Sequence, residues 1–397
     1  MKRGRRSDRP EPKADIVLLA TADWSNPFWT NKQHVAVELA RRGHRVLYVD
    51  SLGLRRPSAS QQDFGRILGR LARGLSRPRE VRERLWVWSP LSIPLQQFRG
   101  VRLLNRWSLR AGLALWSWWL GFRHDLLWTY NPMTTMLFPT AGFATVVYHC
   151  VDDIGAQRGM PTREIDAAEA ELLATADHCF VSAEDLLETR RTQCASIHYF
   201  PNVADFDHFS RARTQETAVP ADLKALPRPR IGFVGAITDQ KVDLLLLKAL
   251  AEAHPDYSVV LIGKVGEGDP WTDVEPLREL KNVHLLGPKP YELLPAYLKG
   301  FDVALLPSVM NRYTRGMFPM KFFEYLAAGC PVVSTRLPAL RAFRHVADLA
   351  GTPAEFVAAV ERAVRGEGPP LAERLAVARE HTYERRTTRM MQLVEAQ

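Results

Sequence analysis

Residues 311–335 read NRYTRGMFPMKFFEYLAAGCPVVST, and three local signals follow one another there. Arg312, Arg315 and Lys321 sit in a loop that leads into an apolar segment, Phe322–Ala328, spaced as a short helix. Gly329 ends that helix, Pro331 prevents its continuation, and Val332, Val333, Ser334 and Thr335 read as a buried strand. Cations and a helix N-terminus thus meet at the carboxyl edge of a parallel sheet, where α/β proteins bind anionic ligands. Glu324 falls in the first turn of the helix, placed to accept hydrogen bonds from ligand hydroxyls. The combination suits a sugar carried on a diphosphate.

Alternating strand and helix signals extend outward on both sides. Upstream lie strand Arg230–Val234, loop Gly235–Gln240, helix Val242–Ala253, strands Ser258–Ile262 and His284–Leu286, helix Tyr291–Leu298 and strand Val303–Leu306. An earlier series begins with strand Ile16–Ala20, a loop over 21–31, helix Lys32–Arg42 ended by Gly43, and strand Arg45–Val49. Residues 55–85 are Arg-rich with helical spacing. Strands Leu126–Thr129 and Thr145–His149, helix Arg163–Ala176, strand Cys179–Ser182 and helix Ala183–Thr192 complete it. Residues 210–230 are poor in apolar periodicity and hold Pro220, Pro227 and Pro229, which reads as a boundary. The expected division is a disordered basic tail over 1–14, an N-terminal α/β domain over 15–209 and a linker over 210–229. A C-terminal α/β domain over 230–370 and a terminal helix over 371–397 follow.

A chain of 397 residues that is 46% hydrophobic can bury two cores. No uncharged apolar run approaches the roughly 18 residues a membrane span needs, and the basic N-terminus is followed by no secretory apolar core. Cys150, Cys179, Cys194 and Cys330 form no CxxC pair, which fits reduced thiols in a cytoplasmic protein. The net charge of +9 is uneven: residues 1–120 hold 23 Lys and Arg against 9 Asp and Glu, and the remainder is net acidic. Arg66, Arg70, Arg73, Arg77, Arg79, Arg82 and Arg84, then Arg99, Arg102, Arg106 and Arg110, lie near Trp107, Trp116, Trp118, Trp119 and Phe122. That pattern has two readings, a solvated basic face over core tryptophans or an interface with anionic lipid headgroups. No nucleic-acid-binding motif accompanies the charge, and no GxGxxG follows the first strand.

The element PxKxxEYLAAGxPVVST resembles the signature of retaining, nucleotide-sugar-dependent glycosyltransferases of family 4. These have the GT-B fold, two Rossmann-like domains with parallel sheets facing across a cleft. The variant N-x-x-T-R-x-x-x-P-x-K-x-x-E-Y most resembles the branch concerned with teichuronic acid and related surface polysaccharides. One departure stands out: the wider family usually has a Glu eight positions before the Glu of the helix, and Gly316 stands there.

The resemblance implies roles for particular residues. Arg315 and Lys321 would stabilise the charge that builds on the diphosphate leaving group, the term that raises rate when it is stronger in the transition state. Glu324 would bind ribose or sugar hydroxyls, and Thr314 is grouped with the donor contacts. Gly235 permits close backbone approach after its strand, and Lys241 matches a family position on the donor diphosphate. The companion Arg of that loop is missing, and Asp239 and Gln240 stand there. Gly263 and Gly287 look like turns that cradle base and ribose, though both also fit ordinary strand ends. In the first domain, YHCVDD at 148–153 keeps Asp152 and Asp153 of the branch pattern, while His149 departs from it. His149 and Asp152 are candidates to orient a sugar hydroxyl or shuttle a proton; a strand-end histidine held by hydrogen bonds is the competing reading. The loop Asp23–Trp29 and the helix start Asn31–His34 look like the acceptor side. No metal site and no cofactor beyond a nucleoside-diphosphate sugar co-substrate are expected.

The expected function is a retaining transfer of a hexose-type sugar to a glycan, lipid-linked or secondary-metabolite acceptor, cytoplasmic or on the inner membrane face. Nucleic acid is not an expected partner. Gly316 motivates an alternative, a non-catalytic GT-B protein that binds nucleotide sugar or polysaccharide. A nucleotide-sugar epimerase of the same fold is a third reading.

Overall fold

A computed structural model describes residues 12–26, 29–51, 76–91, 93, 98–137, 140–267, 269 and 271–396. The chain forms two compact units. The first holds the described residues through His149 together with 159–179 and 193–196; the second holds 150–158, 180–192 and 197 onward.

An eight-stranded sheet is built from β1 (Asp15–Leu19), β2 (Arg45–Val49), β3 (Arg79–Arg82), β4 (Leu85–Trp88), β5 (Leu126–Thr129), β6 (Thr145–Cys150), β7 (His178–Val181) and β8 (Ile197–Tyr199). Its order is β3-β4-β2-β1-β5-β6-β7-β8. β4, β2, β1, β5 and β6 pair in parallel, and β3 runs antiparallel to β4 at the edge. Helices α1 (Asn31–Arg41), α2 (Arg99–Leu120), α3 (Thr162–Thr175) and α4 (Glu184–Arg190) lie along the chain between these strands. β1 is buried from end to end although it opens on an aspartate. Arg45 at the start of β2 answers that carboxylate with Nε at 2.6 Å from Oδ1, and the Arg123 backbone N–H donates to it at 2.6 Å. A buried charge is tolerable only when paired and hydrogen-bonded in this way.

The second unit continues through α5 (Phe206–Ser210), β9 (Arg230–Val234), α6 (Leu244–Ala253), β10 (Ser258–Ile262), β11 (Val283–Leu285) and β12 (Val303–Leu306). It ends with α7 (Lys321–Ala328), β13 (Val332–Thr335), β14 (Asp348–Ala350), α8 (Pro353–Val364), α9 (Leu371–Glu380) and α10 (Tyr383–Glu395). Its six strands are all parallel, in the order β11-β10-β9-β12-β13-β14. Both faces are buried, so the strands read as continuous apolar runs. Val259, Leu261, Val303 and Leu305 enter one core; Val260, Ile262, Ala304 and Leu306 enter the other.

The structure corrects several sequence expectations. Within residues 55–85, the stretch 52–75 lies outside the described residues, as do 1–11 of the expected tail. The described remainder is a β3–β4 hairpin rather than helix: arginines at three- and four-residue intervals mimic helical spacing, whereas LWVW at 85–88 is strongly strand-forming. The 22-residue helix α2 and strand β8 were not anticipated. Residues 210–229 are not a loose linker. Ala212 and Leu223 are buried in the second unit's core with Leu298 and Phe301, and their irregular spacing hides this from periodicity. The boundary falls earlier, and some residues expected in the first domain belong to the second unit. Tyr291–Leu298 starts as a 3-10 turn and becomes α-helical only over Leu294–Lys299. The terminal segment is two helices, and α10 meets residues 201–204 within the second unit: Arg386 Nη1 donates to the Pro201 carbonyl at 3.2 Å.

One hydroxyl fixes α7 to the sheet. β12 pairs β9 only as far as Gly232, so the Val234 N–H and carbonyl on that side lack a strand partner. The buried Tyr325 hydroxyl accepts from Val234 N at 2.8 Å and lies 3.3 Å from its carbonyl. Tyr325→Phe is expected to cost about 1–3 kcal/mol, read as a lowered urea midpoint. A midpoint equal to wild type would show that the bond contributes nothing net.

In the first unit, burial and the nearby Lys13 and Arg42 hold the His44 imidazole down at about 4, against 6.5 when exposed. Between those values the unfolded chain binds the extra proton, so stability is present above 6.5 and lost as pH falls toward 4. The loss amounts to at most about 3 kcal/mol. Urea midpoints from pH 7 to 4.5 are expected to fall less steeply in His44→Gln than in wild type. Parallel slopes would assign the acid sensitivity elsewhere.

Candidate functional site

Three glycines at the carboxyl ends of adjacent strands of the second sheet touch one another. Gly235 follows β9, Gly263 follows β10 and Gly287 lies just beyond β11. Gly235 N donates to the Ile262 carbonyl at 2.9 Å, and Gly263 N to the Gly287 carbonyl at 3.1 Å. A Cβ on Gly263 would stand 1.8 Å from the Gly235 carbonyl oxygen, so no other residue fits at that position. The backbone is bare at Gly263 and Gly287, where a ligand can approach closely, while the Phe233 ring stands beside Gly235.

The loop after β9 and the segment after β12 are laced together beside it. Asn311 Nδ2 donates to the Gln240 carbonyl at 2.8 Å, Val309 N to the Lys241 carbonyl at 3.1 Å, and Asp243 N to the Pro307 carbonyl at 2.7 Å. Lys241 Nζ lies 5.3 Å from the centre of the Tyr313 ring. Arg312–Arg315 is a helical turn, not the loop expected, and Asn311 caps it through a reciprocal bond with Thr314. The Thr314 hydroxyl is wholly buried and donates to the Val309 carbonyl, so it shapes the turn rather than facing a ligand. Arg315 is exposed, and its side chain makes no hydrogen bond or ion pair among the described residues. It is a cation held out on a rigid turn.

α7 starts at Lys321 and closes at Gly329, whose φ of +87° places it in the left-handed region. Lys321 Nζ binds Glu324 Oε2 at 2.6 Å and lies 6.0 Å from the Phe209 ring centre. The Glu324 side chain is only 4% exposed, whereas Lys321 keeps 26%. Burial pushes the Glu324 carboxyl up; Lys321 pulls it down, and Asp205 pushes it up further. Glu324 and Lys321 thus meet each other, with the lysine on the accessible side.

Asp153 and Gly316 form a second locus that sequence reasoning divided. Arg312 Nε donates to Asp153 Oδ2 at 2.9 Å, and Arg190 stands 3.7 Å from its Oδ1. A Cβ on Gly316 would lie 3.0 Å from Asp153 Cβ and 3.3 Å from Leu186 Cδ2. A side chain at this position would be tight against both, and a carboxylate stands beside it from Asp153. Asp239 and Gln240 also gain a role. Arg158 Nη1 donates to Asp239 Oδ1 at 2.7 Å and to Asp269 Oδ2 at 3.1 Å, while Gln240 Nε2 donates to the Ala156 carbonyl at 3.0 Å.

His149 and Asp152 fall in different units. His149 is completely buried in the first, stacked on Tyr130 at 4.7 Å with Trp128 edge-on at 5.8 Å. Asp152 is half-buried in the second, and its carbonyl accepts from Ile154 N at 3.0 Å. In the expected acceptor loop, Trp24 packs on Trp29 at 5.1 Å and Tyr48 at 5.2 Å; Pro27 and Phe28 lie outside the described residues. Among the described residues no group of three or more His, Cys, Asp or Glu is placed to hold a metal ion. No described helix is long and apolar enough to cross a membrane.

Residues 228–365, which contain the glycine trio, Arg315, Lys321 and Glu324, match the family described as glycosyl transferases group 1. The match lies wholly within the second unit. The chain is 27% identical over 259 residues to TuaH of Bacillus subtilis (strain 168), named as a teichuronic acid biosynthesis glycosyltransferase. That match covers 61% of this chain and 64% of TuaH, just under two thirds of the relative's length. Solved structures extend the likeness to nearly the whole chain. Sucrose-phosphate synthase from Thermosynechococcus elongatus superposes with a TM-score of 0.67 at 17% identity, over 97% of this chain and 99% of that one. Anabaena HepE in complex with UDP-glucose gives 0.64 at 14%, over 96% and 100%. The fold is GT-B.

In the second unit, Gly316→Ala is expected to cost about 1–3 kcal/mol, because Asp153 is held by two arginines and Leu186 is packed. Gly142→Ala, where a Cβ meets nothing within 4 Å, serves as the control. Equal urea midpoints for both variants would remove packing as the reason for Gly316.

Proposed function

We propose that this protein is a retaining glycosyltransferase that moves a sugar from a nucleoside diphosphate to a glycan or lipid-linked acceptor. The observation that carries the reading is one sheet edge at which the side-chain-free glycines and the Lys321–Glu324 pair occur on neighbouring elements. HepE was solved with UDP-glucose and an Escherichia coli structure with UDP-2-fluoro glucose; a UDP-sugar is accordingly the first donor to test here.

In this reading the backbone after β9, β10 and β11 takes the nucleoside, and Lys321 and Arg315 take the diphosphate. Lys321 moves from Glu324 to a phosphate oxygen, and Glu324 then accepts hydrogen bonds from ribose or sugar hydroxyls. The anomeric carbon–oxygen bond breaks with its electron pair going to the diphosphate, where fixed cations stabilise the developing charge. The acceptor oxygen bonds to the anomeric carbon on the same face, and its proton passes to the departing phosphate oxygen. Gly316, which motivates the binding-only alternative, lies beside the Asp153 carboxylate.

Nucleotide release is measured with UDP-, GDP- and dTDP-sugars and membrane extract as acceptor. One donor is expected to give release. Arg315→Ala is expected to lower kcat/KM about ten- to hundred-fold, the equivalent of a charge-assisted bond of roughly 1.5–3 kcal/mol. Lys321→Met is read beside Lys321→Met/Glu324→Gln, which removes the pair together and leaves no unpaired buried carboxylate; both are expected to lose at least as much. A donor that binds without release from any acceptor would establish the binding-only alternative.

A further inference from the structure

Among the described residues, twelve large hydrophobic side chains are exposed, and seven belong to one helix and its N-cap: Phe98, Leu103, Leu104, Trp107, Leu115, Trp118 and Trp119. At about 100° per residue, Leu103, Leu104, Trp107, Ala111, Leu115 and Trp118 fall on one side of α2. Asn105, Leu109, Leu113 and Ser117 fall on the other side and are buried. A helix at a water-facing surface carries its apolar stripe inward and its polar face outward. α2 does bury Leu109 and Leu113, yet its outward face is apolar too, with Trp107 70% and Trp118 79% exposed.

The charge around this face selects the partner. Arg110 projects from the flank of α2 between the two faces, and Arg106 lies beside the buried residues, both half-buried. Arg77 lies over the Trp119 ring at 5.9 Å, and Arg79 and Arg82 are exposed on the neighbouring hairpin in the same unit. The first 120 residues carry 14 more basic than acidic groups. Tryptophan and leucine on an outward helix face, ringed by arginine, match an anionic bilayer surface, where indoles seat at headgroup level and cations meet lipid phosphates. A second copy of the chain would instead set this basic rim against itself.

We propose that α2 is a membrane-docking helix that inserts Leu103, Trp107, Leu115 and Trp118 into the interface of an anionic bilayer. The docking does not depend on which sugar is transferred, or on transfer at all. Vesicle flotation of the full chain tests it, using phosphatidylcholine alone and phosphatidylcholine with 40% phosphatidylglycerol. Binding is expected to the anionic vesicles, to weaken at least ten-fold from 0.1 to 0.5 M salt, and to fall at least ten-fold in Trp107→Ser/Trp118→Ser. Trp271→Ser removes an equally exposed tryptophan, 73% open, from the second unit and is expected to bind as wild type. Brominated lipid is expected to quench wild-type tryptophan fluorescence and to spare much of it in the double variant. Unchanged circular dichroism and nucleotide-sugar affinity in that variant would show it folded. Three results would overturn the proposal. They are no binding to anionic vesicles, equal loss in Trp271→Ser, and a wild-type dimer that the double variant turns into monomer.

Discussion

The hydrogen bond between Tyr325 and Val234 does more for this molecule than its size suggests. β9 lies at the middle of a six-stranded parallel sheet, yet on the β12 side its pairing stops two residues early. An orphaned N–H there would cost what any buried unsatisfied donor costs. The tyrosine hydroxyl fills the gap and in doing so sets the start of α7 against the end of β9. Lys321, one turn before Tyr325, and Glu324, next to it in the chain, inherit their positions from that contact. Phe322 and Phe323, fully buried on the same helix, then pack on Phe318 and Phe343, so α7 has no freedom to slide.

How much of this was legible in the sequence depended on the kind of signal. The strands Arg45–Val49, Leu126–Thr129, Arg230–Val234, Ser258–Ile262, Val303–Leu306 and Val332–Thr335 came out with their observed ends, since each is a compact apolar run bounded by turn residues. The Lys321–Ala328 helix was one residue longer than expected. What failed was anything that periodicity misrepresents: arginine spacing concealed the β3–β4 hairpin, and scattered Ala212, Val219 and Leu223 looked like linker while packing as core. At the site, residue types were readable and partners were not. Nothing in the sequence reveals that Lys321 is engaged by Glu324, that Thr314 turns its hydroxyl to Val309, or that His149 stacks on Tyr130. Those are facts about neighbours brought from elsewhere in the chain.

Gly316 shows how a missing residue is misread without its neighbours. Taken alone, a glycine in place of a carboxylate suggests a lost function. In the fold it is pressed against Asp153, whose carboxylate is gripped by Arg312 and approached by Arg190. The same segment of chain, a few residues on, sends Arg158 to Asp239 and Asp269. Asp239, Gln240 and Gly316 are therefore each met by residues 153–158.

The Lys321–Glu324 pair gives the strongest energetic reason to regard α7 as a ligand-binding element. A buried ion pair repays its desolvation poorly, and an apolar pair of similar volume at the same place is often as stable or more so. Glu324 sits at 3% exposure among phenylalanines, with burial pushing its carboxyl up and Asp205 adding to the strain. Stability alone would favour leucine or methionine there. What the charged pair provides is a partly exposed cation with a buried acceptor beneath it, the two held within hydrogen-bonding distance of each other. In the proposed donor site an arriving diphosphate would replace the carboxylate as the lysine's partner, and the carboxylate would be left to accept from hydroxyl donors. On the proposed reaction the lysine–phosphate interaction would strengthen as negative charge develops on the leaving group, which is where binding energy lowers a barrier.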